Sequence, residues 1–331
     1  MKILFFGDII GKIGRRAMKQ ILPELKNEYQ PDLIMANVEN AAHGVGVTEK
    51  TLAELAEAGV QVFTSGNHIF SKPEAEALLN IKDSALLRPA NYPPGLPGAD
   101  YKIIEIGSKA VVIINLLGRV FMKGNFDCPF RKLDEILAKI PAKNIGAIIV
   151  DFHAEASSEK TAFGWYADGR VSAVLGTHTH IPTADCKILP QGTAFVSDAG
   201  MVGALDSVIG DKKEEIIKSF LTQTNAPIEI PEEGEVEVSA VLGTHTHIPT
   251  ADCKILPQGT AFVSDAGMVG ALDSVIGDKK EEIIKSFLTQ TNAPIEIPEE
   301  GEVEVGAVLV EIDPATKKAV KIGRVDRKIR V

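Results

Sequence analysis

Cysteine is scarce: three in 331 residues, at Cys128, Cys186 and Cys253. None forms a C-x-x-C pair, so neither a disulfide framework nor a zinc ribbon is indicated. The thiols fit a reducing, cytoplasmic compartment. Aromatic residues are only 5%, and the bases are scattered along the chain. Both points argue against a stable nucleic-acid partner. No run approaches the ~18–20 apolar residues of a membrane span, so no membrane partner is expected. The opening MKILFFGD is halted by Asp8, short of the roughly 7–15 residues of a secretory apolar core, and reads as a buried strand. Nor is there an excess of positive charge: 35 Lys and Arg face 45 Asp and Glu, a net −10. What remains is ordinary for a globular chain, 45% hydrophobic and 24% charged.

A length of 331 suggests two domains or one large α/β domain. That arithmetic changes once repeats are sought. Residues 171–237 recur unchanged as 238–304, an offset of 67. Without one copy the chain is 264 residues long. Each copy carries 11 acids and 4 bases, so the acidity is mostly duplication: −7 per copy against −3 for the rest. The period exceeds the roughly 20–50 residues of solenoid repeats. A single domain over 1–331 is expected, with one copy surplus to the fold.

Short apolar runs alternate with helical patterns. Residues 2–7, 32–38, 61–65 and 145–151 read as buried strands. Residues 12–28, 48–58, 72–80 and 129–140 have apolar spacing near 3.6 and read as helices. A hairpin is expected over 102–106 and 110–116, and a helix over 157–168 with Ser157 as N-cap. Each copy adds a strand (VSAVLG), a hairpin around Pro190-Gln191-Gly192, a helix (DKKEEIIKSFL) and a strand before Pro231. Residues 305–312 and 317–325 form a closing hairpin. Repeated β-α units followed by antiparallel strands predict a layered α/β sandwich.

The polar residues that stand out collect where strands end. Asp8 closes FFGD, Glu39 and Asn40 close NVEN, and Asn67 and His68 close SGNH. His153 follows in DFHAEA, and His178 and His180 end LGTHTH. Ligands bind at the carboxyl ends of strands in open α/β sheets. Oxygen and nitrogen donors without a thiolate suit paired Mn or Fe, with Zn and Mg as further candidates. Alternation along a strand puts residues i and i+2 on one side, so both imidazoles of H-x-H are expected to reach one centre. His43, in ENAAHGVG, reads as a polar loop residue first and a substrate contact second. Gly7, Gly11 and Gly14 do not make a dinucleotide fingerprint.

The series GD, GNH, a lone His and GTHTH resembles the calcineurin-like metallophosphoesterases. GDIIGKIGR, NVENAAHGVG, SGNH, RPANYPPGLPG, DFHAEASSEK and GTHTHIPTAD resemble, more narrowly, the YmdB-type subfamily of bacterial cyclic-nucleotide phosphodiesterases. Ile10 where many members of the wider group have His, and Glu39 where most have Asp, are features of that subfamily. The resemblance implies an α/β/β/α sandwich and a dinuclear hydrolase of 2′,3′- or 3′,5′-cyclic nucleotides. It implies that Glu39 bridges two metals, that Asp8, Asn40 and His180 complete one site, and that Asn67, His153 and His178 complete the other. His68 would stand free of the metals as the catalytic group, acting on phosphorus attacked by a metal-activated water. The alternatives are a phosphomonoesterase, or a nucleotide-binding regulator with little turnover.

The duplication offers a second pair, His245 and His247. Only one pair can join single copies of Asp8, Glu39 and His153. Because the copies are identical, the surplus can leave the fold at any register, most cheaply in a surface loop. Residues 167–170, 189–192, 222–227 and 230–235 are the candidate exits. Three of the four follow His180, which favours His178 and His180. Spare strands invite swapping between chains, so a homo-oligomer is an expectation too.

Overall fold

The structure is a computed structural model that describes residues 1–331 apart from 142–143, 206, 223–237, 292–295, 314–315 and 317. The first half alternates as the sequence pattern predicts. In order come β1 (Ile3–Phe6), β2 (Asp8–Ile9), α1 (Gly11–Tyr29), β3 (Leu33–Asn37), α2 (Glu49–Ala58), β4 (Val62–Thr64) and α3 (Glu74–Leu79). Next are the hairpin β5 (Tyr101–Ile106) and β6 (Lys109–Leu117), then α4 (Pro129–Lys139), β7 (Ile145–His153) and α5 (Ser157–Ala167). The first copy supplies β8 (Ala173–Thr177), β9 (Lys187–Ile188), β10 (Ala194–Val196), β11 (Met201–Val202) and α6 (Lys213–Thr222). The second repeats them as β12 (Ala240–Leu242), β13 (Lys254–Ile255), β14 (Ala261–Val263), β15 (Val269–Ala271) and α7 (Lys280–Thr289). The chain ends with β16 (Glu302–Val305), β17 (Val308–Ile312), β18 (Ala319–Arg324) and β19 (Arg327–Arg330).

Two sheets face each other. One is parallel, β1-β3-β4, and the other runs β5-β6-β7-β8-β10-β9. The parity of side chains along each strand builds three cores. Ile34 and Ala36 of β3 face α1, α2 and α3, while Leu33 and Met35 face the second sheet. Val111 and Ile113 of β6 meet them there; Val112, Ile114 and Leu116 point the other way, toward Phe130 of α4 and Phe163 of α5. The result is the expected α/β/β/α layering. Strands buried on both faces explain why β3 and β6 read as continuous apolar runs.

The outermost helical layer is completed from the second copy. Ile283, Ile284, Phe287 and Leu288 of α7 pack on the cluster around Phe130, whose ring stacks on Phe287 at 5.6 Å. Arg119 donates to the Phe287 carbonyl and Trp165 to the Ser274 carbonyl. The matching helix of the first copy leaves Phe220 and Leu221 exposed. The first copy therefore serves the sandwich through Asp211 and the second from Ser274. Of the four anticipated exits, 167–170 and 189–192 stay with the first copy beside β8, β9 and β10, while 223–227 and 230–235 lie outside the described residues.

Two further readings are corrected. Ser157 lies inside α5, which starts after Ala156 with no side-chain cap; its hydroxyl donates instead to the Thr246 carbonyl. The closing hairpin pairs β17 with β18, but Val305 belongs to β16, between β15 and β19. The strand placed before Pro231 lies outside the described residues. The two copies also touch each other reciprocally. Ala184 donates to the Pro249 carbonyl and Ala251 to the Pro182 carbonyl, both at 2.8 Å, around a Thr183–Thr250 bridge.

Candidate metal centre

The carboxyl edges of both sheets deliver the polar residues to one cluster. Asp8 stands in β2, held by parallel pairing with β11. Glu39 and Asn40 follow β3, Asn67 and His68 follow β4, and His153 ends β7. Asp8 and His153 are fully buried; Glu39 and Asn40 are nearly so. His153 Nε2 lies 3.0 Å from Glu39 Oε1 and 3.0 Å from His178 Nδ1. Asn40 Nδ2 lies 3.1 Å from His180 Nε2. Asp8 Oδ1 is 3.9 Å from His180 Nε2 and 3.9 Å from the His153 ring. Glu39, His153 and His178 offer ligand atoms within 4.8 Å of one another. Gly66 is required here, since a Cβ would strike Glu39 Oε2 and the His153 ring.

His178 and His180 do not sit on a strand. β8 ends at Thr177, and the two histidines adopt φ +106° and +66° in the turn beyond it. Both rings enter the cluster through this left-handed backbone, not through strand alternation. Non-glycine residues pay for such a conformation and keep it where surrounding contacts demand it. Here the His178 amide donates to Asp8 Oδ2 at 3.0 Å. Between the rings, Thr179 donates through its amide and its hydroxyl to Asp198 Oδ2. Asp198 is itself paired with Lys160 at 2.7 Å, both buried. His245 and His247 keep the same turn, at φ +113° and +64°, but are exposed and away from the cluster.

Hydrogen bonding fixes the tautomers. Thr177 Oγ1 donates to Asp151 Oδ1 at 2.7 Å, so it accepts from His153 Nδ1 at 2.8 Å. That leaves a lone pair on His153 Nε2, facing the Glu39 carboxylate. His180 Nδ1 donates to the Ile209 carbonyl at 2.8 Å, which turns a lone pair on Nε2 toward Asn40 and Asp8. Burial holds the His153 imidazole near a pKa of about 4, hence neutral. Burial first, then the neighbouring Glu39 and Asp198, pushes the Asp8 carboxyl well above its usual range. Asp8 Oδ1 and Asn67 Oδ1 are buried and have no hydrogen-bond partner. His153 Nε2 accepts from His178 Nδ1 and His180 Nε2 from the Asn40 amide, whereas the Asp8 and Asn67 oxygens face no donor. Buried acceptors left this way cost about 1–3 kcal/mol each unless a cation meets them. The donor set fits metal ions of the oxygen- and nitrogen-seeking kind.

The sequence reading missed the layer behind the donors. Asp151 accepts from Thr177, Thr64 and Asn37, and burial lifts its pKa to about 7. The available signal was D-x-H in β7, two positions on one strand face. Glu155, 3.0 Å from His178 Nε2, was also missed. His68 lines the cavity beside Glu39, Asn40, His178 and His180, about 410 Å³ in volume. Its amide donates to Glu39 Oε2 at 3.0 Å. His43 lines the same cavity.

Comparison with known proteins agrees with this arrangement. The family model described as YmdB-like protein matches residues 4–237 and again 233–325. A 2′,3′-cyclic-nucleotide 2′-phosphodiesterase of Bacillus subtilis (strain 168) is 46% identical over 243 residues, 73% of this chain and 90% of that protein. A crystal structure of a hypothetical protein from Thermus thermophilus is 31% identical, covers 99% of both chains and has a TM-score of 0.57. A structure described as a novel phosphatase of Mycoplasma pneumoniae is 29% identical with the same TM-score, covering 99% of this chain and 93% of that one. The match spans most of the chain, and the motifs fall on the clustered donors: this protein belongs to the YmdB-like family of metallophosphoesterases.

Proposed function

We propose that the protein is a metal-dependent phosphodiesterase that opens cyclic nucleotides. The observation that carries this reading is the gathering of donor atoms from Asp8, Glu39, Asn40, His153, His178 and His180 in one cluster, with the Oδ1 atoms of Asp8 and Asn67 buried and without a hydrogen-bond partner. In this reading Glu39 would serve both of two cations, Asp8, Asn40 and His180 would hold one, and Asn67, His153 and His178 would hold the other. Mn or Fe suits the donors best, ahead of Zn and Mg. Bound cations of this kind supply an acidified water as nucleophile and charge stabilisation at phosphorus. The chain's own residues do the rest. His68 has its backbone pinned by Glu39 and its ring in the cavity, where it delivers a proton to the leaving ribose oxygen. The Asp151–Thr177–His153 relay keeps the imidazole neutral and aimed. The relative's substrate, a 2′,3′-cyclic nucleotide, supports the diester over a monoester.

The test is chelation followed by elemental analysis. The purified protein is expected to hold two metal ions per chain, to lose turnover of a 2′,3′-cyclic mononucleotide with EDTA, and to regain it with Mn or Fe. Full activity in a metal-free preparation would sink the proposal. His68→Ala is expected to keep its metal while turnover falls by about 10²–10⁴-fold.

A further inference from the structure

Next to the metal cavity lies a second groove that the reaction as described does not use. It has a volume of 470 Å³ and runs between α1 and α2. Lys12, Arg15, Arg16 and Lys19 line it at positions i, i+3, i+4 and i+7 of α1. That spacing places all four on one helical stripe. Lys50, in the first turn of α2, adds a fifth base from the opposite wall. Two acids, Glu54 and Glu57, face them. Five bases against two acids invert the balance of a chain that has 35 against 45. Glu54 is committed to Arg15 at 2.6 Å. Lys12, Arg16, Lys19 and Lys50 are in no hydrogen bond or ion pair among the described residues.

The groove adjoins the metal cavity. α1 begins two residues beyond Ile9, and the Gly11 amide donates to the carbonyl of Asn40 at 2.9 Å. His43 lines both cavities. It is exposed and carries a left-handed backbone at φ +59°, a conformation that a non-glycine residue retains where function or packing requires it. The basic stripe thus starts at the donor cluster and leads away from it. A lone cyclic mononucleotide has one phosphate, which the metal centre takes. The stripe would then face no anion.

We propose that the groove holds phosphates beyond the scissile one, so that the preferred substrate is a short oligoribonucleotide ending in a cyclic phosphate. The terminal diester occupies the metal centre, and the preceding backbone phosphates lie along Lys12, Arg16, Lys19 and Lys50. His43 stands at the junction. This rests on the phosphodiesterase reading above and extends it from a mononucleotide to a chain. Helical periodicity turns the four bases of residues 12–19 onto one face, and α2 adds Lys50, to make the patch that the overall composition argues against.

The experiment compares kcat/KM for a 2′,3′-cyclic mononucleotide, the same nucleotide with an added 5′-phosphate, and a tetranucleotide ending in a 2′,3′-cyclic phosphate. The holoenzyme is expected to favour the tetranucleotide about tenfold. Arg16→Glu with Lys19→Glu should bring the ratio of tetranucleotide to mononucleotide near one, with an unchanged far-UV circular dichroism spectrum. Fluorescence anisotropy of a labelled tetranucleotide ending in a 3′-phosphate reads binding without turnover. Its affinity should fall with salt at a slope of about −0.7 per phosphate held, and the double variant should flatten that slope. Equal rates on mononucleotide and tetranucleotide, with anisotropy indifferent to the variant, would overturn the proposal while leaving the phosphodiesterase reading intact. A 5′-phosphorylated mononucleotide as good as the tetranucleotide would overturn the oligonucleotide. No turnover of any of the three by metal-loaded protein would instead remove the phosphodiesterase reading.

Discussion

The two copies of the 67-residue segment have one sequence and two fates. Their local geometry is the same. β10 pairs with β8 from Ala194–Ala173, and β14 with β12 from Ala261–Ala240, in the same parallel register. Asp265 holds Thr246 as Asp198 holds Thr179. Both H-x-H turns keep their left-handed backbone, and His247 bonds the Ile276 carbonyl as His180 bonds that of Ile209. Their surroundings differ. Only the first turn stands against Asp8, Glu39 and His153, and only the second helix packs on α4 and α5. The H-x-H turn is therefore shaped locally, while its place in the donor cluster depends on partners that the chain supplies once.

Breaking that comparison gives a graded set of outcomes. The largest effect is expected from His178→Ala with His180→Ala, which should abolish metal binding and turnover. The loss should exceed the roughly 10–100-fold typical of residues behind the ligands. His245→Ala with His247→Ala should change activity less than about twofold. Metal analysis beside the rate assay checks both, and an inactive second variant would show that the copies share the work. Next in size is Lys160→Met. It strands the buried Asp198 carboxylate, at about 3–5 kcal/mol by chemical denaturation, and loosens the turn that carries His178. Asp265→Asn, whose carboxylate is not paired with Lys160, should cost about 1 kcal/mol. The smallest contrast lies in the helices. Phe287→Ala should cost about 2 kcal/mol, below the roughly 3–5 of a fully buried aromatic because Phe287 is only partly covered. Phe220→Ala, at 80% exposure, should stay within about 0.5 kcal/mol. Reversal of that order would mean that α6 occupies the outer layer.

The alternation of strands and helices was legible because strands such as β3 and β6 are buried on two faces and helices such as α1 and α4 on one. The donors were legible because they follow apolar strands, and their order matches a known family. The H-x-H turn was not: the residue types suggest a strand, and the left-handed turn goes with the hold of Asp198 on Thr179, repeated by Asp265 on Thr246, nineteen residues away in each copy. Ser157 illustrates the same limit at a helix start, where residue type suggests a cap and a tertiary contact takes the hydroxyl. The exchange point between copies could not be read at all, since identical sequences are equivalent at every register. Asp151 was visible two positions before His153 but has no periodic or motif signal of its own.

The reciprocal pairing of Ala184 with Pro249 and Ala251 with Pro182 has a consequence for how this contact can be studied. In a twofold dimer a substitution at the interface strikes both halves at once. Here Thr183 and Thr250 face each other within a single polypeptide and can be altered one at a time. The protein carries its own symmetry mate with the symmetry genetically separable. A double-mutant cycle across a self-complementary contact, out of reach for identical subunits, becomes the parent protein and three ordinary variants.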